Sequence, residues 1–406
     1  MTDQVLDSRG SALARNGSAD RQAYWSGVFS MTLCVFALIA SEFLPVSLLT
    51  PLAADLHVSE GSAGYGIAIS GAFAVLTSLS IATIAGSMNR KTLLLLLTGL
   101  MCVSGLIVGL SSGYVQYMIG RALIGVVIGG FWSMSAATAM RLVPPRSVPK
   151  ALAIFNGGNA LATVVAAPLG SYLGGIIGWR GAFFCLVPLA LGAMAWQWVS
   201  LPSMKATPRA AASANALGLL KRPLVALGML AVGVFFMGQF MLFTYVRPFL
   251  ETVTGVDVRM LSIILLALGV TGFAGTVLIG KFLKSGVYRT LIIIPLIMAA
   301  IALALIAFGA WMPAAFALLG LWGLVATAAP VGWWAWLTKS LPRDAEAGGG
   351  LMVAAVQLSI ALGSTLGGVL FDGSGYRATF AASAALLLVA AILAFLTARI
   401  ERTHTA

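Results

Sequence analysis

Twelve apolar stretches, each long enough to cross a membrane as a helix, dominate this sequence. A helix needs about 20 apolar residues to cross the ~30 Å hydrocarbon core, because its backbone groups must pair with one another there. The stretches, called spans 1 to 12 below, lie near 25–50, 62–87, 92–112, 114–140, 151–177, 181–200, 223–246, 260–280, 290–311, 314–338, 349–371 and 378–398. They predict an all-α membrane protein with twelve transmembrane helices.

The composition supports this prediction and excludes several classes of protein. Hydrophobic residues make up 60% of the chain and charged residues 9%, against about 45–50% and about 25% in soluble domains. Much of the surface must therefore face lipid, which excludes a cytosolic enzyme, a secreted disulfide scaffold, a disordered chain and a nucleic-acid-binding protein. Cys34, Cys102 and Cys185 lie within apolar stretches and suggest no disulfide framework. His57 and His404 are too few and too far apart for most metal sites, so we expect no metal and no cofactor.

The basic residues predict the orientation of the chain. Of 24 Lys and Arg residues, 19 fall in segments on the same side as the N-terminus, four fall on the other side, and Arg121 lies within span 4. Cytosolic loops of membrane proteins carry an excess of Lys and Arg. We therefore expect both termini in the cytosol, and we attribute the net charge of +12 to topology rather than to a nucleic-acid partner.

The sequence divides into two similar halves. The predicted segments are a cytosolic tail (1–24), a six-helix half (25–200), a cytosolic linker (201–222), a second six-helix half (223–398) and a second cytosolic tail (399–406). The heptad Leu169–Gly175 reappears in similar form as Leu362–Gly368, and Gly178-Trp-Arg180 reappears as Gly375-Tyr-Arg377, 197 residues later. Duplicated six-span halves around a central cavity are typical of many secondary transporters.

Glu42 is the one acidic residue inside the predicted spans. It lies eight residues before Thr50, which places it about 12 Å below the end of span 1 at 1.5 Å per residue. A carboxylate in lipid costs several kcal/mol, so we expect the side chain to face the bundle interior or a water-filled cavity. Because desolvation disfavours its charged form, Glu42 is a candidate to take up a proton from one side and release it to the other. The alternative is a structural carboxyl hydrogen-bonded to a neighbouring helix.

Arg121 is the one basic residue inside the predicted spans. It lies seven residues into span 4 from Tyr114, about 10 Å deep, which matches the depth of Glu42. Arginine stays charged at any accessible pH. If spans 1 and 4 both line the cavity, Arg121 and Glu42 could pair or share waters, and movement between two arrangements would then switch the proton affinity of Glu42. The alternatives are a fixed structural pair or an arginine held by backbone carbonyls.

Polar amides and aromatic rings are candidates to bind substrate. The 197-residue offset takes Glu42 to Gln239 in span 7, where helix–helix packing is an equally good explanation. Further amides are Asn156 and Asn159 in span 5 and Gln357 in span 11. The candidate rings are Phe131, Trp132, Phe236, Phe240, Phe243, Trp333 and Trp334, although most rings in membrane proteins face lipid or the interface. Amides and rings together would suit a flat heterocycle with hydroxyl groups.

The chain resembles the major facilitator superfamily over nearly all of its length, and within it the twelve-span drug:proton antiporter branch. The similarity rests on Glu42-Phe-Leu-Pro45, Arg121-x-x-Ile-Gly125, Ala167-Pro-Leu-Gly-Ser171 and Gly178-Trp-Arg180. The resemblance implies a protonation role for Glu42 and a role in proton coupling for Arg121. It also implies that Pro168 and Gly170 form a shortened, looser version of the antiporter motif of span 5.

Three longer strings resemble the purine ribonucleoside efflux pumps of bacteria, a group within this family. They are residues 42–51, 129–135 and 141–150. The loop between spans 2 and 3 departs from the family pattern: Arg90 and Lys91 survive, but Gly86 and Ser87 replace an Asp and an Arg, and Asn89 replaces a Gly. Arg90 and Lys91 are therefore gating candidates, but the charged contacts that hold the cytosolic side closed in relatives are not expected here. We expect the outward-open state to be less stabilised as a result.

The leading hypothesis is proton-coupled efflux, by antiport, of purine ribonucleosides or similar small solutes across the bacterial inner membrane. An alternative is a drug or sugar efflux antiporter of broad specificity with the same fold. A membrane enzyme is disfavoured because the spans contain one acid and no His, and a sensor is disfavoured because it would want a soluble output domain, which we do not expect here. No ATP-binding loop is present, so energy must come from a gradient or from the substrate itself. The expected partners are a small-molecule substrate, protons and the lipid bilayer, with no nucleic acid, and we expect a monomer.

Overall fold

The described part of the chain consists of helices joined by short turns. In the computed structural model of the protein, the described residues are 23–86, 88–135, 138, 141–204, 217–341 and 344–405, and they contain no strand. Most of the predicted tail 1–24, and residues 205–216 of the predicted linker, lie outside them.

The helices follow the order of the predicted spans. Spans 1 to 4 are Trp25–Ser47, Glu60–Ala85, Arg90–Gly109 and Tyr114–Trp132. Val148–Phe184 with Leu186–Ser200 holds spans 5 and 6. Spans 7 to 9 are Pro223–Phe243, Val258–Lys284 and Val287–Phe308, span 10 is Met312–Ala326 with Ala329–Ser340, and Ala345–Thr405 holds spans 11 and 12. Shorter helical turns are Leu49–Leu56, Pro145–Ser147, Leu217–Lys221, Val246–Phe249 and Leu250–Thr254.

These helices make twelve crossings. Ten described stretches are long and apolar enough to cross a membrane. Two of them, Lys150–Ser200 with 51 residues and Gly348–Arg402 with 55, are about twice the length that one crossing needs. Each of the two is broken inside by a glycine with non-helical dihedral angles, so ten stretches contain twelve crossings. The predicted all-α fold is confirmed.

The two breaks are the predicted glycine–aromatic–arginine turns. Gly178 has φ 77° and ψ 163°, and Gly375 has φ 75° and ψ −177°. Residues with a Cβ are strained in this region, so glycine is required at both turns. The following arginine packs over the aromatic ring in both turns: Arg180 lies 4.4 Å from the Trp179 ring centroid and Arg377 lies 5.9 Å from that of Tyr376.

Some helix ends differ from their predicted positions. Span 1 ends at Ser47 rather than near residue 50, and the helix of span 4 is interrupted after Trp132, with helical residues again at Ser135 and Thr138. Span 10 is interrupted after Ala326, where Pro330 has no N–H to continue the hydrogen-bond ladder. The last helix continues to Thr405, through most of the predicted tail 399–406.

Apolar packing gathers the spans into two main clusters. One cluster of buried side chains lies wholly within residues 28–204. The other lies within 219–394, apart from Val46, Ile67 and Ala167 of spans 1, 2 and 5. These three residues therefore mark where the first six spans pack against the last six.

Contacts between the first six and the last six spans close one end of the bundle. We call it the distal end; the odd-numbered spans finish there. The Asp372 carboxylate of span 11 accepts hydrogen bonds from the Ser59 hydroxyl (2.6 Å) and the Gly61 N–H (3.0 Å) at the start of span 2. The Arg247 guanidinium, after span 7, donates to the Ser47 carbonyl at the end of span 1. Spans 5 and 8 approach closely near the middle of their lengths, where a Cβ at Gly269 would lie 2.7 Å from the Val164 carbonyl oxygen.

Spans 5 and 8 separate toward the opposite, proximal end, where the described chain begins and finishes. Leu161 of span 5 is exposed, and a Cβ at Gly157 would meet no atom within 4 Å. Leu161 and Gly157 are therefore not covered by span 8.

Candidate functional site

Glu42 lies where the first six spans meet the last six. Its side chain is partly exposed, and its Oε1 atom accepts a hydrogen bond of 3.4 Å from the Nε2 atom of Gln357 on span 11. Span 1 is buried on most of its surface, so the carboxylate lies inside the bundle and not against lipid. A polar contact between residues 315 apart in the chain thus joins the two sets of spans at the position of the predicted proton carrier.

Arg121 is fully covered and is held by backbone and hydroxyl oxygens. Its Nε donates to the Gly66 carbonyl (3.0 Å), one terminal nitrogen donates to the Ser41 carbonyl (2.8 Å), and the other donates to the Ser70 hydroxyl (3.3 Å). Only 1% of the residue is exposed. In the described structure, Arg121 forms no ion pair with Glu42. It binds instead the carbonyl of the residue directly before Glu42, which corresponds to the carbonyl-bound alternative.

The sequence around both residues explains this geometry. Pro45 lies within span 1 and has no N–H, so the Ser41 carbonyl, four residues earlier, lacks its usual helical donor. Arg121 supplies that donor. Gly125 and Gly129 face the backbone of span 2 at distances that leave no room for a Cβ, which brings span 4 close enough for Arg121 to reach Gly66.

Three phenylalanines cluster where span 1 meets span 7, and one of them, Phe43, directly follows Glu42 in the chain. The ring of Phe43 lies 6.3 Å from Phe240 and 6.0 Å from Phe243, and the last two rings lie 5.9 Å apart in an edge-to-face arrangement. Phe240 and Phe243 were predicted as candidates from the sequence, whereas Phe43 was missed. Its position directly after Glu42 was the signal that could have identified it.

Gln239 shares one face of span 7 with Phe236, three residues before it, and Phe243, four residues after it. Its Oε1 atom is buried and has no hydrogen-bond partner. The same is true of Oε1 of Gln357. Most buried polar atoms in proteins are hydrogen-bonded. These two buried amide oxygens are therefore acceptors that lack a protein donor in this conformation.

Asn156 and Asn159 lie further toward the proximal end, on span 5. Asn156 is exposed and donates to the Leu152 carbonyl (2.9 Å) of its own helix. It shares a helix face with Ala167, which packs into the cluster of the last six spans, so this face is directed to the interior. Asn159 is partly exposed and lies three residues after Asn156, on the adjacent part of the helix surface.

The remaining predicted rings lie outside this site. Phe131 is buried and stacks on Phe155 (6.2 Å), and Trp132 meets the same ring edge-on (6.1 Å). Trp333 is buried and packs against Phe235 within the core of the last six spans. Trp334 is 44% exposed. The structure does not bring these four predicted rings together with Glu42.

The predicted gating residues lie in two places, on span 5 and at the start of span 3. Gly170 lies against Ser47 and Leu44 of span 1, and Pro168 lies within span 5 and lines a surface groove between spans 5 and 8. Arg90 and Lys91 begin span 3.

Asn89, directly before them, accepts a hydrogen bond from the Lys91 N–H (3.0 Å) and another from the Met204 N–H (3.0 Å). Its side-chain nitrogen donates to Ser203 (2.5 Å). The residue that departs from the family loop pattern therefore ties the loop to the segment after span 6.

A twelve-span helical bundle with polar groups at the interface of its two sets of spans is the architecture of a membrane transporter. A sequence model of the Major Facilitator Superfamily matches residues 31–349. The chain therefore belongs to the major facilitator superfamily, whose transporters are not usually enzymes.

Individual relatives are similar over nearly the whole chain. A Pseudomonas aeruginosa protein named "Transcription regulatory protein OpdE" is 64% identical over 402 residues, 98% of each chain. The purine ribonucleoside efflux pump NepI of Salmonella paratyphi C is 42% identical over 369 residues, 91% of this chain and 93% of the pump. Among solved structures, a mutant of the nucleoside transporter NupG has a TM-score of 0.76 at 12% identity, covering 91% of this chain and 98% of its own. At that identity, the similarity to NupG shows the fold alone.

Proposed function

We propose that this protein exports purine ribonucleosides or similar small solutes in exchange for protons. The observation that carries the proposal is the position of Glu42, an acid inside the bundle that contacts the last six spans through Gln357. The 42% identity to a purine ribonucleoside efflux pump supports the substrate class. The expected location is the bacterial inner membrane, with the proximal end in the cytosol, and the expected state is a monomer of two six-helix halves.

The proposed cycle uses the alternation between proximal and distal opening. With the proximal end open, substrate binds from the cytosol while Glu42 is ionised. The halves then rock so that the distal end opens and substrate leaves, and Glu42 takes a proton from outside. After the return, Glu42 releases the proton to the cytosol, and the inward proton gradient drives the exchange.

The interior groups suit a purine ribonucleoside. Phe43, Phe240 and Phe243 offer faces and edges for stacking on a flat base. The unpaired amide oxygens of Gln239 and Gln357 accept hydrogen bonds from base N–H or ribose O–H groups.

Everted membrane vesicles provide the test. The Glu42→Gln protein is expected to lose substrate-driven proton release while it keeps inosine binding, because a neutral amide cannot exchange a proton. Glu60→Gln, which changes a carboxylate at the distal start of span 2, is the matched control and is expected to behave as the unmodified protein. Normal coupling in the Glu42→Gln protein would refute the proposal.

A drug or sugar exporter with the same fold is the alternative for the substrate. Binding of inosine, guanosine and a lipophilic cation to the purified protein separates the two. A cation that binds more tightly than both nucleosides would favour the drug exporter.

A regulatory role is a second candidate, favoured by the name of the relative that is 64% identical. Since the described residues form membrane spans, we expect such a role to act through a transported or sensed small molecule. A transcriptional response that disappears with transport in the Glu42→Gln strain would follow from export. A response that persists without transport would favour a sensor.

A further inference from the structure

Gln357 is placed to transmit the protonation state of Glu42 to a bound ligand. Its side chain is 7% exposed, its Nε2 atom donates to Glu42, and its Oε1 atom is buried without a partner. The two ends of the amide therefore have different surroundings: one is engaged by the carboxylate, and the other is free to accept a hydrogen bond. The backbone around Gln357 is closely packed, since a Cβ at Gly71 of span 2 would lie 2.8 Å from the Gln357 carbonyl oxygen.

The chemistry of the two groups determines which way the amide points. An ionised carboxylate only accepts hydrogen bonds, so it requires the NH₂ end of the amide. A protonated carboxyl group carries an O–H donor, which the amide oxygen accepts better than the NH₂ group can. A half-turn of the amide about its terminal C–C bond exchanges the two ends without moving the helix.

We infer that Gln357 is a relay that presents its carbonyl oxygen to the substrate when Glu42 is ionised and its NH₂ group when Glu42 is protonated. A ligand that donates an N–H or O–H group to Gln357 then binds the ionised form and is released from the protonated form. The step moves one proton from the aqueous phase to the Glu42 carboxylate, and no other covalent bond changes. This inference rests on the proposed function and explains why proton and substrate exclude each other.

Few other charges act on this contact. Arg121 on span 4 is the charged side chain that interacts electrostatically with Glu42. The neighbouring segments of spans 2, 5, 7 and 11 (residues 61–85, 151–177, 223–243 and 348–371) contain no Asp, Glu, Lys, Arg or His. Because Arg121 is charged throughout, a change with pH at this contact originates in Glu42.

The first test measures the dissociation constant of inosine in nanodiscs between about pH 6 and about pH 8.5. For the unmodified protein, the constant is expected to rise by up to about tenfold per pH unit as the pH falls, the limiting slope for one linked proton. Gln357→Met keeps the length of the side chain and removes both hydrogen-bonding ends, so its constant is expected to change less than about twofold over this range. Gln239→Met is the matched control, expected to bind more weakly but to keep the slope. A Gln357→Met protein with the unmodified slope would overturn the relay.

A second measurement covers the case in which Gln357→Met does not fold. In protein labelled with ¹⁵N-glutamine, one side-chain NH₂ signal is expected to move with pH in the absence of ligand, and to stay fixed in the Glu42→Gln protein. The absence of a Glu42-dependent signal would overturn the relay even if transport is normal. If neither inosine nor guanosine binds while this signal titrates, the proposed substrate fails and the relay stands.

Discussion

At the scale of single residues, Pro45 explains how a buried arginine is held next to the proposed proton carrier. Proline leaves the Ser41 carbonyl without its helical donor, and Arg121 donates to that oxygen. The positive charge is therefore fixed one residue away from Glu42 by backbone groups that cannot titrate. Arg121 can stabilise the ionised form of Glu42 at a distance while leaving the carboxylate free to contact Gln357.

Arg121→Lys is predicted to destabilise the protein although the charge is kept. A lysine ammonium cannot span the Gly66, Ser41 and Ser70 oxygens together, so buried acceptors lose their donor. We expect a loss of about 2 kcal/mol in stability, seen as a lower melting temperature. Arg259→Lys, at an exposed position, is the control and should leave the melting temperature unchanged. Equal melting temperatures for both variants would contradict the assigned role of Arg121.

At the scale of helices, the distal closure depends on the end of one helix and the beginning of another. The Asp372 carboxylate sits at the N-terminus of span 2, where unpaired N–H groups and the helix dipole favour a negative charge. This contact joins a span of the first six to a span of the last six. Asp372 therefore stabilises the conformation that is closed distally.

Asp372→Asn is predicted to shift the protein toward the distally open conformation. The neutral amide loses the interaction with the helix dipole, worth about 1 kcal/mol, which changes the ratio of conformations roughly fivefold. Distances between spin labels at the distal ends of spans 2 and 11 report the shift. Asp344→Asn, which removes a proximal ion pair with Arg222, is the control. The proposed role of Asp372 in distal closure is contradicted if only the Asp344→Asn control alters the distal distances.

The two glycine turns make a prediction about the helix pairs. Gly178→Ala and Gly375→Ala place a Cβ on residues with φ near 77° and 75°, so each is expected to cost about 1–3 kcal/mol. Gly192→Ala, on an exposed helix position with open space around it, should be neutral or slightly stabilising. Thermal unfolding in detergent compares the three variants, and similar melting temperatures would show that neither turn is strained by a side chain.

At the scale of the whole molecule, the sequence alone predicted the spans, the glycine turns and the two residues that bear charge inside the bundle. Hydropathy and turn chemistry are local properties, and they were sufficient for these features. The partners of Arg121, the contact between Glu42 and Gln357 and the closure by Asp372 depend on how helices rotate and pack. Such contacts join residues 80, 315 and 313 positions apart, which no local pattern encodes.

The orientation of the molecule remains a prediction with its own test. Because 19 of 24 basic residues fall on the proximal side, we expect both termini to lie in the cytosol. A fluorescent protein fused after Ala406 should fluoresce, and alkaline phosphatase fused at the same position should be inactive. The reverse pattern would invert the proposed direction of transport.

The most direct test of the account is the number of protons that the purified protein releases when inosine is added in weakly buffered solution. The account predicts release of up to one proton per inosine bound at a pH where Glu42 is partly protonated, and none from the Glu42→Gln protein. Binding of inosine without release at any pH, or equal release from both proteins, would contradict it.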